Sequence, residues 1–361
     1  MLQMRRSELQ TAGVRLTVLL LAAGSLACAP AHRVGDEVNI TEESAIIVWD
    51  AASKTEHFIR RAAFKTTARD FGFLVPTPTV PKLDEADDSA FAYLAKLTAP
   101  KVVWRWDSGD GPPPPAPFDE ERKEENVRVI ETKKVGAYDA VILEASNANE
   151  LDGWLKGHGY ASSPELVDWY KPLIAQKWKI TAFKISKVDG GDRASASAVK
   201  MSFITDRAFF PYREPVAATP RRSHWHLPRR SLRLFFIADG RYAGGIGTTR
   251  GWPGETVWSG IMDNDSRTEL LGMLRLPGMA LVTTPRLTEF EDLSDPRPGT
   301  DDLFFGQAGD QATVRRPNVV RWISLGDLIG ALMLALLAAG ILYGVWKLSV
   351  KILRFIRAKS T

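Results

Sequence analysis

Cysteine occurs once in 361 residues, at Cys28. An intramolecular disulfide is therefore excluded, and the core must hold the fold without staples. Several motifs are also missing. There is no G-x-S-x-G elbow, which removes the nucleophile of an ordinary α/β-hydrolase. Asp70-Phe71-Gly72 spells a kinase triplet, but no glycine-rich phosphate loop precedes it and no catalytic-loop motif follows. Gly244-Gly-Ile-Gly247 is too short for a dinucleotide fingerprint and reads as a hairpin turn in β-rich sequence. No repeat of fixed period is visible. Composition, 45% hydrophobic and 25% charged, excludes a disordered chain.

Long apolar runs are also scarce. Only Leu328 to Trp346 is long enough to cross a bilayer, and no charge interrupts it. Lys347, Lys351, Arg354, Arg357 and Lys359 follow with no acid among them, which places the tail in the cytoplasm and the bulk of the chain outside. At the other end Arg5, Arg6 and Arg15 precede the shorter apolar run Leu16 to Leu26, the pattern of an export signal. Two readings of its processing compete: a cut after Ala29-Pro30-Ala31, or lipidation of Cys28 in the box Ser25-Leu26-Ala27-Cys28. The formal net charge of +4 resides in these two ends, and residues 30–346 are net acidic. The high pI is thus no argument for nucleic-acid binding.

Along the exported part, Ser44 to Asp50, a turn at Ala51 to Thr55, and Glu56 to Phe64 read as a β-hairpin. Asp70 to Val75 reads as a strand closed by Pro76, Pro78 and Pro81. Acids at Asp84, Glu85, Asp87 and Asp88 lead into a helix through Phe91, Leu94 and Leu97. Asp107 to Glu125, with Pro112 to Pro115, reads as an exposed loop or hinge between two lobes. Ala137 to Leu143 returns to strand. Asn147 and Glu150 have capping-box spacing for a helix through Leu151, Trp154 and Leu155, which Gly157 and Gly159 stop. Ser163-Pro164 opens a second helix, and Trp178 to Ile185 alternates as a strand. Further strands are expected at Met201–Thr205, Phe209–Tyr212, Ser231–Ala238, Thr256–Ser259 and Met279–Thr284. A last helix is expected from a cap at Ser266.

The sequence predicts a mixed α+β fold with largely antiparallel sheets, a few helices and one C-terminal transmembrane helix. Its expected organisation is a signal peptide over 1–29, an exported domain over 30–288 and an acidic Pro/Gly-rich stalk over 289–321. A membrane helix over 328–346 and a basic cytoplasmic tail over 347–361 complete it.

Glu43-Ser-Ala-Ile-Ile-Val-Trp-Asp50, Glu56-His-Phe-Ile-Arg60, Asp70-Phe-Gly-Phe-Leu-Val-Pro-Thr-Pro78 and Gly136-Ala-Tyr-Asp-Ala-Val-Ile-Leu143, with Trp154-Leu155 and Gly159-Tyr160, resemble the bacterial family catalogued as domain of unknown function 2330. The likeness covers most of the exported part. Members of that family carry a signal peptide and often a membrane-spanning C-terminus, which implies a bacterial cell-envelope protein at the inner membrane. They usually have more cysteines after the signal, whereas here only Cys28 is present. The family has no assigned function, so the resemblance carries over no catalytic residue and no cofactor.

His224-Ser-Trp-His226 would put two imidazoles on one face of a strand, the start of a metal site that lacks a third ligand nearby. Arg221, Arg222, Arg229 and Arg230 flank it, and a solvated basic loop is the plainer reading. Trp252 and Trp258 around Pro253-Gly254 suggest either a ligand groove or core aromatics. Gly326 to Gly330 and Gly340 to Gly344 have small-xxx-small spacing, which points to helix-mediated self-association. The reading that follows is a noncatalytic binding or assembly module of the envelope, whose partners are the lipid bilayer and envelope proteins. The alternative is an envelope hydrolase of unrecognised type whose groups, His57, Asp70 or His224 among them, converge only in the fold.

Overall fold

The computed structural model describes residues 29–31, 38–66, 70–106, 138–160, 162–186, 193–195, 198–215, 231–248, 251–276, 284–294, 297–323 and 333–347. The Pro112–Pro115 loop and the Met279–Thr283 part of the last expected strand lie outside them. In chain order the elements are β1 Ala29–Ala31, β2 Val38–Asp50, β3 Thr55–Thr66, β4 Asp70–Thr77, β5 Lys82–Glu85, α1 Ser89–Leu97, β6 Val102–Trp106, β7 Tyr138–Leu143, α2 Ala148–Gly157 and α3 Pro164–Ala175. There follow β8 Lys179–Ser186, β9 Arg193–Ser195, β10 Val199–Ile204, β11 Phe209–Phe210, β12 Ser231–Ala238, β13 Tyr242–Ile246, β14 Glu255–Ile261, α4 Asn264–Met273, β15 Arg286–Asp292, β16 Leu303–Gln307 and β17 Val319–Ile323. Residues 333–347 form a fifth helix, α5. The fold is mixed α+β with largely antiparallel sheets, as the residue pattern predicts.

Two units divide the chain: residues 1–94 with 133–314, and residues 95–132 with 315–361. In the first, the hairpin β2–β3 is the spine of an eight-stranded sheet ordered β14-β15-β12-β2-β3-β10-β5, with β9 on β3. Only β12–β2 is parallel within it. Strand alternation gives this sheet two apolar faces. Ile47, Phe58, Met201, Phe236 and Phe290 face a core shared with Phe71, Phe73 and Phe183 of the sheet β1-β4-β8-β7, and with Phe209 and Phe305 of the small sheet β11-β16-β13. Each such side chain contributes about 1.5–3 kcal/mol by leaving water. Ile46, Val48, Ile59, Phe235 and Ile237, on the opposite parity, are equally buried. That face meets α1 and α4: the Arg61 guanidinium lies 4.7 Å from the Phe91 ring centroid, and Lys200 Nζ donates to Leu274 O at 2.8 Å and Arg275 O at 2.9 Å. A buried cation on the last carbonyls of α4 satisfies groups that have no intrahelical donor.

α2 and α3 cover the outer face of the four-stranded sheet, where Leu74, Ile180 and Ala182 pack against Leu155, Trp169 and Tyr170. Both helices start as their residues dictate. Asn147 Oδ1 accepts from Glu150 N at 3.0 Å while Glu150 Oε2 accepts from Ser146 N at 3.2 Å, and Ser163 Oγ caps Leu166 N with Pro164 in the first turn. Gly159, at φ +77°, ends α2.

Four expectations need correction. Asp84 and Glu85 belong to strand β5, because Lys200 of β10 holds Asp84 Oδ2 at 3.1 Å, so α1 starts only at Ser89. α4 starts at Asn264, because Asp263, three residues before Ser266, takes the cap and accepts from Ser266 N at 2.7 Å. The stalk over 289–321 does not begin at 289. Glu289 to Asp292 lies in β15, between β14 and β12, and Leu303–Phe305 of β16 is in the core, because the acids of this stretch have buried partners. Finally, no helix among the described residues is long and apolar enough to cross a membrane. α5 covers Met333–Trp346 of the expected span, and residues 328–332 lie outside the described set.

Candidate functional site

The densest polar constellation among the described residues lies on the inner face of the eight-stranded sheet, around Glu43 of β2. Pairing of β2 with β3 shifts register between Ile40 and Glu42. Glu43 shares the inward face with Ala45 and Ile47 by ordinary alternation while Glu42 is exposed, and the bulge before Glu42 brings Ile40 to that same face. Glu43 Oε1 accepts from Arg60 Nε at 2.9 Å and Oε2 from Arg297 Nη1 at 3.0 Å. The side chains of the trio are 0%, 6% and 1% exposed. The Arg60 guanidinium lies 5.1 Å from the Phe73 ring centroid, and that of Arg297 lies 5.8 Å from Tyr212. Tyr212 in turn donates to Asp292 Oδ2 at 2.7 Å, and Trp252 Nε1 reaches the same oxygen at 3.2 Å. Ser294 N and Oγ satisfy Asp292 Oδ1 at 2.9 and 2.5 Å. Two cations thus share the Glu43 carboxylate in a layer with almost no solvent contact, and through Tyr212 the network joins β2, β3 and Arg297 to Asp292 of β15. Its four charged side chains are all buried.

Two more buried carboxyls stand apart from it. Glu56 accepts from Phe209 N at 2.9 Å, and burial pushes its pKa well above the usual carboxylate range against that bond. Asp302 is pushed up to about 6 by burial, opposed by the Arg213 N–H at 3.1 Å.

The residues marked by sequence are scattered. His57 lies on β3 opposite Ser202 of β10, with Nδ1 2.8 Å from Ser202 Oγ. Burial and then the Lys200 charge push it down to about 4. Such an imidazole is neutral at pH 7 and too weak a base for efficient proton abstraction there. Asp70 begins β4 in the other sheet, paired with Ser186, so the fold does not bring it to His57. His224, His226, the four flanking arginines, Cys28, Gly326, Leu328 and Gly330 lie outside the described residues. Among the described residues no group of three His, Cys, Asp or Glu is placed to hold a metal.

Trp252 is a core-edge residue: its ring lies 5.4 Å from Phe290 and would be struck by a Cβ at Gly254, 2.2 Å from its Cζ2. Trp258 is 9% exposed. Gly244 and Gly245 are strand residues of β13, and the turn comes only at Gly247 with φ +56°. A cleft of about 350 Å³ lies between α2 and α3, lined by Ser146, Asn147, Asn149, Val167, Lys171 and Ile174 among others. None of the marked residues lines it.

The second unit carries a different feature. In α5, Met333, Leu334, Leu336, Leu337, Ile341, Leu342 and Trp346 are 59–71% exposed, on every side of a helix without a charge before Lys347. A Cβ at Gly340 or Gly344 would meet nothing within 4 Å. The Tyr343 and Trp346 ring centroids lie 5.8 Å apart with the planes tilted by 37°, and Lys347 Nζ sits 5.3 Å from the Tyr343 ring centroid. An aromatic pair with a lysine at one end of an apolar helix is the composition of a membrane–water boundary.

The chain is similar, at 6% identity and a TM-score of 0.32, to the crystal structure of baculovirus P35, over 78% of this chain and 98% of that one. No curated protein matches it. Residues 22–242, more than half the chain, match the model of a family described as uncharacterized proteins conserved in bacteria, DUF2330, and the chain belongs to that family.

Proposed function

We propose that this protein is a single-pass, membrane-anchored module of the bacterial cell envelope that binds or assembles envelope proteins without catalysing a reaction. The observation that carries the reading is α5, a helix apolar on all sides and exposed along its length. Water does not tolerate such a surface at that extent, whereas a bilayer does. The uncharged residues 328–332 extend the run to spanning length, and the acid-free basic tail sets the C-terminus in the cytoplasm. Strand β1 supports processing ahead of Cys28, since a cut after Ala31 would strip Ala29–Ala31 from the edge of its sheet. The noncatalytic half is supported by His57, held neutral and bonded to Ser202, and by acids engaged in buried pairs.

The test is fractionation of the full chain expressed in a bacterium with a C-terminal tag. The chain should pellet with membranes through carbonate washing, external protease should digest the first unit, and the tag should stay protected. Removal of residues 328–361 should release a chain whose residues 1–28 are replaced by an unrelated cleavable export signal, so that no lipid on Cys28 holds it. Recovery of the full chain in the soluble fraction refutes the anchor. Crosslinked native membranes should yield the same partners from the native chain and from one whose 328–346 helix is exchanged for an unrelated one. Loss of every partner on exchange refutes the binding role of the exported part.

A further inference from the structure

The second unit contains one more element without a role in the fold of the first. β6 and β17 form a two-stranded parallel sheet in register Val319↔Val102 to Ile323↔Trp106, opened by Val319 N donating to Lys101 O at 2.9 Å. Neither strand has another partner among the described residues. A two-stranded sheet is marginal in water unless a further surface covers it. Its apolar side chains are bare: Trp104 is 58% exposed, Val102 47% and Val319 43%. The Arg321 guanidinium stands 5.6 Å from the Trp104 ring centroid.

Composition sharpens the picture. Residues 101–106 and 315–323 contain Lys101, Arg105, Arg315, Arg316 and Arg321, and no acid. Residues 30–346 as a whole are net acidic, whereas these two strands and their leads are basic. The chain then runs only from Ile323 to Leu328 before the apolar run begins, at most about 18 Å of extended backbone. A sheet tethered so closely to the entry point of a membrane helix sits at the headgroup layer.

We infer that the β6–β17 sheet docks on anionic lipid headgroups of the leaflet that the C-terminal helix enters. The valines and Trp104 seat at the boundary, and the arginines and lysine meet phosphate oxygens. The inference rests on the anchored reading above and adds to it a specific lipid chemistry and a specific surface. An uncharged leaflet would leave Lys101, Arg105 and Arg321 without a counter-charge. A second copy adding a strand to an open edge would bring five more of the same sign.

The experiment uses the full chain carrying Cys28→Ala, reconstituted in vesicles, with one environment-sensitive fluorophore at Val102→Cys, Val319→Cys, Asn149→Cys or Leu336→Cys. Asn149 is an exposed position of α2, and Leu336 lies in α5. The quencher is a headgroup nitroxide lipid for the first three probes and an acyl-chain nitroxide lipid for Leu336. In vesicles with about 30 mol% phosphatidylglycerol, probes at 102 and 319 should be quenched severalfold more than at 149. The difference should shrink when the anionic lipid is omitted. It should also shrink when salt rises from 0.1 to 1 M, which shortens the screening length from about 10 to about 3 Å. Arg105→Glu with Arg321→Glu should release the 102 probe while Leu336 stays quenched.

If 102 and 319 quench no more than 149 while Leu336 is quenched, the anchor stands and the docking surface is overturned. Shielding of 102 that depends on protein density and not on lipid charge assigns the sheet to a second copy and also overturns it. If Leu336 itself is not quenched, the anchored reading fails and takes this inference with it.

Discussion

Replacing Glu43 by Gln keeps the shape of the side chain and removes one charge from between two guanidinium groups. In the native protein the Glu43 carboxylate holds Arg60 at 2.9 Å and Arg297 at 3.0 Å, with side-chain exposures of 6% and 1% for the two cations. After substitution one amide oxygen remains for two buried cations, and the amide NH₂ faces a donor. Removing one partner of a buried pair costs about 3–5 kcal/mol, because the surviving charge stays desolvated. Here one substitution removes the charge that two buried cations share. At roughly 2–4 °C per kcal/mol for a unit of this size, the melting temperature should fall by on the order of 10 °C or more. The assay is thermal unfolding of the purified chain followed by near-ultraviolet circular dichroism. Asp206→Asn, which breaks the exposed pair with Lys54 at 2.8 Å, serves as the control and should not shift the transition measurably. The triple change Glu43→Met, Arg60→Met and Arg297→Met should recover most of the loss, since an apolar replacement leaves no uncompensated charge. A Glu43→Gln protein melting within about 2 °C of the parent would refute the reasoning, and so would a triple variant worse than the single one.

The remaining predictions concern titration and close packing. Asp302 is raised from 3.8 to about 6 by burial, so the fold binds its proton more tightly than the unfolded chain does. Its contribution is fully present below pH 4 and is lost as pH climbs to 6. Asp302→Asn should therefore match the parent at pH 4 and exceed it above pH 6 by up to about 3 kcal/mol in denaturant titrations. An equal gap at both pH values would count against burial as the cause. His57 runs the other way: lowered to about 4, it contributes stability above pH 6.5 that disappears as pH falls toward 4. Its imidazole carbon shifts should stay neutral at pH 5.5 in a nuclear magnetic resonance titration, and an ordinary midpoint near 6.5 would overturn the buried geometry. Gly72→Ala should cost about 1–3 kcal/mol, since its Cβ would stand 2.4 Å from Tyr160 Cδ1. Gly153→Ala in α2 meets nothing within 4 Å and should stabilise by up to about 1 kcal/mol.

Local signals decided much of this chain. The hairpin Ser44–Phe64 shows in its period-two alternation around a polar turn, and α2 and α3 show in their caps, because those contacts span only three or four residues. The apolar run near the C-terminus and its basic flank are one-dimensional facts and need no fold to be read. Family membership also followed from residues in order along the chain. What sequence misplaced depended on distant partners. Asp84 looks like a helix-starting acid until Lys200, 116 positions on, draws it into a strand. Arg297 lies in a Pro/Gly-rich acidic stretch that reads as a stalk, yet it is buried because Glu43 waits 254 residues upstream. Glu43 itself shares the apolar parity of Ala45 and Ile47, and only Arg60 and Arg297, brought to it by the fold, let a carboxylate stay on that face. Neighbouring residues govern caps and alternation, so the sequence alone settles them. Burial of a charge is decided by which other charge the fold delivers to it, and that is a property of the tertiary structure.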